Sequence, residues 1–176
     1  MKTKINYIKG DITTSNADCI VNAANEHLIA GAGVCGAIFN KVKDPIGLAT
    51  ECNQYQGCAI GNAIATGGYG LSEYIIHAVG PIYHNHLPEK AKELLVSAYK
   101  ESLLLAEDLK VSSIAFPLLS TGIYGYPKEE AVELALLTIG EHCLGKTSLK
   151  EITFYCFTDE DYDLVKAFME EMLVEE

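Results

Sequence analysis

Short strand-like segments alternate with helix-like segments along nearly the whole chain, and this order limits the folds that the chain can adopt. The strand-like segments are short and apolar, whereas the helix-like segments repeat their apolar residues every three or four positions. Parallel strands need a crossover connection, which is usually a helix. The alternation therefore predicts an α/β fold, a three-layer α/β/α sandwich with a mixed and largely parallel central sheet. The N-terminal strands are the candidates for antiparallel pairing.

Residues 74–79 and 89–109 give the clearest local predictions. The first segment is almost entirely apolar, which indicates a central strand covered on both faces. The second has Pro88 at its start and one apolar stripe, which is typical of a long surface helix. Thr158 or Asp159 is expected to cap a terminal helix that ends near Leu173. The other predicted strands are 4–8, 18–22, 59–66, 113–118 and 152–157, and the other predicted helices are 34–42 and 128–142.

Length and charge exclude several classes of function. The 176 residues fit one domain, which we place at 1–176, and no apolar run approaches the about 20 residues of a membrane helix. A net charge of −11 argues against nucleic acid, because binding to a polyphosphate backbone depends on Lys and Arg. The first residues lack the continuous apolar stretch of a signal peptide. We expect a cytoplasmic monomer that binds neither nucleic acid nor membrane.

The six cysteines are dispersed, with no Cys-x-x-Cys pair and no His at metal-ligand spacing. Reduced thiols are therefore expected. His84 and His86 suggest a metal site, but a third ligand is not evident in the sequence, and exposed histidines are the commoner explanation. We expect neither a metal nor a cofactor.

Four segments that follow predicted strands carry the residues expected at a binding site. They are Gly-Asp-Ile-Thr at 10–13, Asn-Ala-Ala-Asn through Gly-Ala-Gly-Val at 22–34, Ser-Thr-Gly-Ile-Tyr-Gly-Tyr-Pro at 120–127 and Phe-Thr-Asp at 157–159. Ligands of α/β folds bind outside the carboxyl ends of the strands, so all four could lie on one rim. Two glycine-rich loops would offer backbone N–H groups to a pyrophosphate, a carboxylate would accept from an amino group, and an aromatic ring would cover a flat base. This set indicates a nucleotide diphosphate as ligand.

Each of these features also has an ordinary structural explanation. Asp11 can be a turn residue, Asn25 can brace its own loop, and a glycine cluster most often serves tight turning. Phe157, at the end of a strand, is more often a core residue. The functional interpretation depends on the four segments occurring together.

Taken in order along the chain, these motifs resemble the macrodomain family. The resemblance rests on the segments 10–13, 22–25, the stretch ending in Gly33-Val34, Tyr-Ile-Ile-His-Ala-Val-Gly-Pro at 74–81 and Phe-Pro-Leu-Leu-Ser-Thr-Gly-Ile-Tyr-Gly-Tyr-Pro at 116–127. It covers nearly the whole chain and is strongest with the bacterial O-acetyl-ADP-ribose deacetylase and mono-ADP-ribosyl hydrolase branch. The resemblance implies a macrodomain fold that binds ADP-ribose and hydrolyses O-acetyl-ADP-ribose or mono-ADP-ribosylated protein side chains without metal.

The resemblance also implies a role for each site residue. Asp11 would hold the adenine amine beside the Ile12 backbone, and Phe157 would pack against the base. Asn25 would bind the distal ribose. Gly33, Val34 and Cys35 would line one side of the diphosphate and the distal ribose. Tyr124 would close over the cleft, and Ser120 and Thr121 would shape the approach. The second side of the diphosphate would be lined by Gly122, Ile123, Tyr124, Gly125 and Tyr126.

The chain departs from the hydrolase pattern at three positions. Cys35 stands where that branch usually has a catalytic Asp, Phe39 stands where a His usually follows, and Ala32 replaces the middle glycine of the loop. Loss of a positioned general base removes about 10² to 10⁴-fold in rate, so the chain is expected to be slow rather than dead. Asn25, acting with the substrate's phosphate, is then the main candidate for orienting water. Cys35 as a nucleophile is the lesser candidate, because neither His nor Asp is evidently paired with it.

Two other functions fit the same residues. A reader module would bind ADP-ribose without chemistry, which the Cys35 substitution favours. A phosphatase acting on ADP-ribose 1″-phosphate would share the pocket. We assign no role to His27, and Ser120 lacks the partners of a catalytic triad.

Overall fold

The computed structural model describes residues 2–174, and this part of the chain forms six strands and five α-helices. Two short 3₁₀ turns, Ile12–Thr14 and Tyr83–Asn85, lie in connections. Met1, Glu175 and Glu176 of the predicted 1–176 domain lie outside the described residues. The strands are Lys4–Lys9 (β1), Cys19–Ala23 (β2), Ala63–Gly67 (β3), Tyr74–Ala78 (β4), Ser113–Phe116 (β5) and Glu151–Cys156 (β6). The helices are Gly33–Lys41 (α1), Pro45–Gln54 (α2), Pro88–Asp108 (α3), Lys128–Leu144 (α4) and Asp159–Val174 (α5).

The six strands form one mixed sheet in the order β1-β6-β5-β2-β4-β3. Every neighbouring pair is parallel except β3 and β4. The predicted largely parallel sheet is confirmed, but the expectation of antiparallel pairing at the N-terminal strands is wrong. The short connection 68–73 forces β3 and β4 to run in opposite directions, whereas helices connect the strands that pair in parallel.

Helices cover the sheet on both faces and complete the predicted three layers. Cys19 and Val21 of β2 pack into a core with α3, α4 and α5, whereas Ile20 packs with α1 and α2. This alternation follows from the two-residue period of a strand. Ile75 and Ile76 in β4 are fully buried on opposite sides, which confirms the prediction for this segment.

Two local predictions need correction. Helix α2 was not predicted, because its sequence buries only Leu48 and Cys52 among its ten residues. Its start is nevertheless well defined, since Asp44 Oδ1 accepts a hydrogen bond from the Gly47 N–H at 2.9 Å. The strand predicted at 59–66 begins only at Ala63, because 59–62 forms a turn that requires φ +87° at Gly61.

The parallel arrangement brings four connections to one edge of the sheet. Strands β1, β2, β5 and β6 all end there, and the segments after them are the four that the sequence singled out. Thr158 Oγ1 accepts from the Asp161 N–H at 3.1 Å, so the predicted cap of the terminal helix is present. Within residues 2–174 no helix has the length and apolarity needed to cross a membrane.

Candidate functional site

A cleft of about 640 Å³ opens at this edge of the sheet. Its volume lies within the range of about 300 to 1,000 Å³ that is typical of small-molecule sites. The walls come from the segments after β1, β2, β5 and β6, together with the first turns of α1, α4 and α5. The predicted site residues that line it are Asp11, Ile12, Asn25, Gly33, Val34, Cys35, Ser120, Thr121, Gly122, Ile123, Tyr124 and Phe157.

Gly125 and Tyr126 are the predicted site residues that lie outside the cleft lining. Tyr126 points into the core with 2% of its surface exposed, and its ring packs against Tyr83 at a centroid distance of 4.8 Å. Gly125 closes a turn, with φ +70° and an N–H that donates to the Gly122 carbonyl at 3.0 Å. In the structure these two residues support the loop from behind, and their contact with a ligand stays a prediction.

At one end of the cleft, Asp11 presents a carboxylate. Its Oδ1 accepts from the Thr13 N–H at 2.9 Å and from the Thr13 hydroxyl at 2.8 Å. These hydrogen bonds hold the pKa of Asp11 below its usual value, so the group is an acceptor at neutral pH. Phe157 forms the neighbouring wall with 79% of its surface exposed, so it is not the core residue that the ordinary explanation suggested.

The N-terminus of α1 forms one long wall of the cleft. No side chain caps this helix, and the first N–H groups of a helix have no partners within it. Gly33 supplies the required positive φ of +60°, whereas Ala32 has φ −88°. The Ala32 substitution therefore causes no backbone strain, because the left-handed position is the next residue.

The loop 120–124 forms the opposite wall. Ser120 adopts φ +66° and is buried, and its hydroxyl has no hydrogen-bond partner within residues 2–174. A Cβ added at Gly80 would collide with Ser120 Oγ, so a larger residue there would force the Ser120 hydroxyl to turn aside. The Tyr124 carbonyl accepts from the Tyr83 N–H at 2.9 Å and anchors the far end of the loop. Ile123 at its tip is 88% exposed.

Asn25 lines the cleft and also braces its own loop. Its Oδ1 accepts from the N–H groups of His27 at 3.1 Å and Ile29 at 3.3 Å, and its Nδ2 donates to the Ile29 carbonyl at 2.9 Å. Asn25 therefore does brace its own loop, which was one of the two explanations that the sequence left open. One N–H of the amide remains for a ligand, because the group has two.

Cys35 lies in the cleft wall with 4% of its surface exposed. Its thiol donates to the Ile29 carbonyl at 3.5 Å, and its sulfur accepts from Asn22 Nδ2 at 3.7 Å. Among the described residues no His or carboxylate hydrogen-bonds to this thiol. The arrangement gives Cys35 no general base, which weighs against a nucleophilic role.

A family model for the macro domain matches residues 21–135. The chain belongs to the macrodomain family. It is 45% identical to a macro domain-containing protein of Caldanaerobacter subterraneus, an alignment that spans 98% of this chain and 99% of that protein. It is 41% identical to O-acetyl-ADP-ribose deacetylase 1 of Pantoea vagans, over 92% of this chain and 95% of the relative. It is 43% identical to a Homo sapiens ADP-ribose glycohydrolase, over 96% of this chain but 40% of that longer protein.

A solved structure shares the fold of this macrodomain. The Oceanobacillus iheyensis macrodomain, determined with ADP, superposes with a TM-score of 0.91 at 35% identity. The alignment covers 100% of this chain and 97% of the other. The predicted three-layer fold is confirmed by this likeness and by the sheet itself.

Sequence reasoning missed an ion pair in the cleft of this macrodomain. Lys128, at the start of α4, lies 2.9 Å from Asp161 in the first turn of α5, and both residues line the cleft. The hydrogen bond that Lys128 donates to the Asp161 carboxylate raises the pKa of Lys128. From the sequence, both residues were expected only at the starts of helices. A charged residue at a helix start does not by itself indicate that it lines a cleft. In this ion pair, Asp161 already compensates the charge of Lys128.

Proposed function

We propose that this macrodomain binds ADP-ribose in the cleft and hydrolyses O-acetyl-ADP-ribose or mono-ADP-ribosylated protein side chains to release it. The observation that carries the proposal is the pairing of two walls, the uncapped α1 N-terminus and the loop 120–124, on either side of one cleft. Oriented backbone N–H groups hold a pyrophosphate without basic side chains. The net charge of −11 is therefore compatible with an anionic ligand.

The end of the cleft beside β1 and β6 suits adenosine. Asp11 there is an ionised acceptor, which fits the exocyclic amine of adenine, and the exposed ring of Phe157 fits the face of the base. The opposite end holds Asn25 and Cys35, where the distal ribose and the bond to be cleaved would lie. This direction of binding is part of the proposal.

Hydrolysis is supported by the relatives named for it and by the position of Asn25. The remaining Nδ2–H of Asn25 is available to orient a water molecule, with a diphosphate oxygen of the substrate as the second anchor. Cys35 is the weaker candidate for the reacting group, because its thiol is already hydrogen-bonded to the Ile29 carbonyl. No metal or cofactor takes part in this scheme.

The competing proposal is a reader that binds ADP-ribose without chemistry, and Cys35 in place of a base is the observation that favours it. Purified protein incubated with O-acetyl-ADP-ribose and with a mono-ADP-ribosylated protein separates the two. Release of free ADP-ribose above the buffer rate supports the hydrolase. Calorimetric binding of ADP-ribose with no turnover of either substrate leaves the reader, and absence of binding removes both. Phosphate release from ADP-ribose 1″-phosphate would instead indicate the phosphatase.

A cytoplasmic location, a monomeric state and a mono-ADP-ribosylated protein as partner belong to the same proposal. The first is supported by the sequence composition and reduced cysteines alone. Light scattering on the purified protein measures the monomeric state directly.

A further inference from the structure

A buried polar chain runs behind the cleft from the antiparallel edge of the sheet to the α1 wall. Asn22, Thr66 and His77 have 1%, 2% and 1% of their surface exposed, and none of them lines the cleft. His77 lies between the other two, with its Nδ1 at 3.0 Å from Asn22 Nδ2 and its Nε2 at 2.9 Å from Thr66 Oγ1. Buried polar groups in a protein are retained when their hydrogen bonds are satisfied, so the directions of these bonds are informative.

In the amide orientation that Asn22 has in the structure, the hydrogen bonds assign one tautomer to His77. Asn22 Nδ2 can only donate, so His77 Nδ1 must accept, and the ring proton must sit on Nε2. The Thr66 hydroxyl donates to the Gly67 carbonyl at 3.0 Å, which leaves its oxygen free to accept that proton. Burial lowers the pKa of His77 to about 4, so the ring stays neutral. The three side chains are therefore mutually consistent in one arrangement.

The same chain continues to the two candidate catalytic residues, Cys35 and Asn25. The second N–H of Asn22 points to Cys35 Sγ at 3.7 Å, and the Cys35 thiol donates to the Ile29 carbonyl at 3.5 Å. That carbonyl also accepts from Asn25 Nδ2 at 2.9 Å. Asn22 keeps both N–H groups in use although its Oδ1 is buried without a partner within residues 2–174. The Asn22 amide is thus oriented to donate toward Cys35, and this orientation leaves its own Oδ1 without a hydrogen bond.

We propose that Thr66, His77 and Asn22 are positioning residues that hold the Cys35 thiol and, through the shared Ile29 carbonyl, the Asn25 amide in the orientation used for hydrolysis. This inference rests on the proposed hydrolase function. Without the Thr66 oxygen, the Cys52 thiol remains beside Nε2, with its Sγ at 3.8 Å, and its S–H can donate to that nitrogen. The His77 proton then moves to Nδ1, where it faces the Asn22 amide. The Asn22 amide then flips, so that its Oδ1 faces His77 and Cys35. The Cys35 thiol donates to Asn22 Oδ1 instead of the Ile29 carbonyl, and that carbonyl loses one of its two donors.

Thr66→Val removes the acceptor with little change of shape, and Thr66→Ser retains it. Thr138→Val is the matched control, since Thr138 is a buried threonine whose hydroxyl donates to the Leu134 carbonyl of its own helix. We expect Thr66→Val to lower kcat on O-acetyl-ADP-ribose about tenfold, because small misplacements of reacting groups cost up to about 10²-fold. The Kd for ADP-ribose should rise by a smaller factor than kcat falls, since Asp11 and the loop 120–124 are untouched and only the Asn25 amide is displaced. Thr66→Ser and Thr138→Val should keep the wild-type kcat.

Nitrogen-15 NMR gives a readout that does not depend on turnover. The wild-type protein and Thr66→Ser should show a His77 ring protonated at Nε2, and Thr66→Val should show Nδ1–H together with shifted Asn25 side-chain amide signals. An unchanged kcat and unchanged Asn25 signals in Thr66→Val would overturn the inference, as would parallel losses of kcat, affinity and melting temperature. If the wild-type protein turns over no substrate, the hydrolase proposal fails by itself. The tautomer and the Asn25 signals then still test whether Thr66 and His77 hold the Asn25 amide in place.

Discussion

Replacement of Asp11 separates its role in the ligand site from its role in the fold. The carboxylate accepts two bonds from Thr13 through Oδ1 and lines the proposed adenine end of the cleft. Asp11→Asn keeps an oxygen for the Thr13 N–H but places an N–H₂ donor where the adenine amine also donates. Asp11→Ala removes both functions. Both variants should therefore lose affinity for ADP-ribose, whereas Asp11→Ala alone should lose local stability.

The size of each effect follows from the interactions removed. Leaving a polar partner unpaired costs about 1 to 3 kcal/mol, which corresponds to a rise in Kd of about 5- to 150-fold. Loss of the side chain that caps the 3₁₀ turn Ile12–Thr14 costs about 0.5 to 2 kcal/mol of stability, and Asn substitutes well for Asp in that position.

The assay is calorimetric titration of wild type and both variants with ADP-ribose, AMP and ribose 5-phosphate. Affinity for the two adenine ligands should fall, and affinity for ribose 5-phosphate should not change. Equal losses for all three ligands would refute the assignment of Asp11 to adenine. Wild-type affinity in Asp11→Asn would refute it as well.

Three further perturbations test other parts of the structure. Cys35→Asp should raise the rate of hydrolysis, because Asn22 Nδ2 is placed to donate to the new carboxylate; an unchanged rate would mean that this position does not limit the chemistry. Gly80→Ala should lower the melting temperature and weaken ADP-ribose binding, since the added Cβ would displace the buried Ser120 Oγ in the loop 120–124; wild-type values of both would show that the hydroxyl turns aside without moving the loop. Glu107→Gln should destabilise the protein at neutral pH. Burial opposes ionisation of Glu107, but hydrogen bonds from Ser148, Thr147 and His142 outweigh it and lower its pKa from 4.5 to about 2, so its contribution is present above pH 4.5 and lost as the pH falls toward 2. The difference in unfolding free energy between this variant and wild type, followed by urea titration, should shrink over that interval, and a constant difference would contradict the assignment.

The order of elements was predictable from the sequence, but the pairing of the strands was not. Apolar periodicity is a local signal, and it located β4 and α3 closely. Pairing depends on contacts between distant residues: β1 pairs with β6, where Lys4 faces Glu151. Helix α2 escaped prediction because few of its residues face the core.

The candidate site was largely predictable because its residues follow parallel strands that end at one edge. The exceptions are residues whose roles depend on the direction of a side chain in a loop. Tyr124 lines the cleft and Tyr126 enters the core, although the two tyrosines are separated by a single glycine. Lys128 and Asp161 come from different helices, and only the packing of α4 against α5 brings them together.

The central claim is that backbone N–H groups from two walls hold a diphosphate between them. Titration of nitrogen-15-labelled protein with ADP-ribose tests it directly, because each wall contributes its own amide signals. Saturable downfield shifts should appear at Gly33, Val34 and Cys35 and at Gly122, Ile123 and Tyr124, with the same Kd for both groups. Saturation without shifts on one of the two walls, or shifts confined to residues outside the cleft, would contradict the claim.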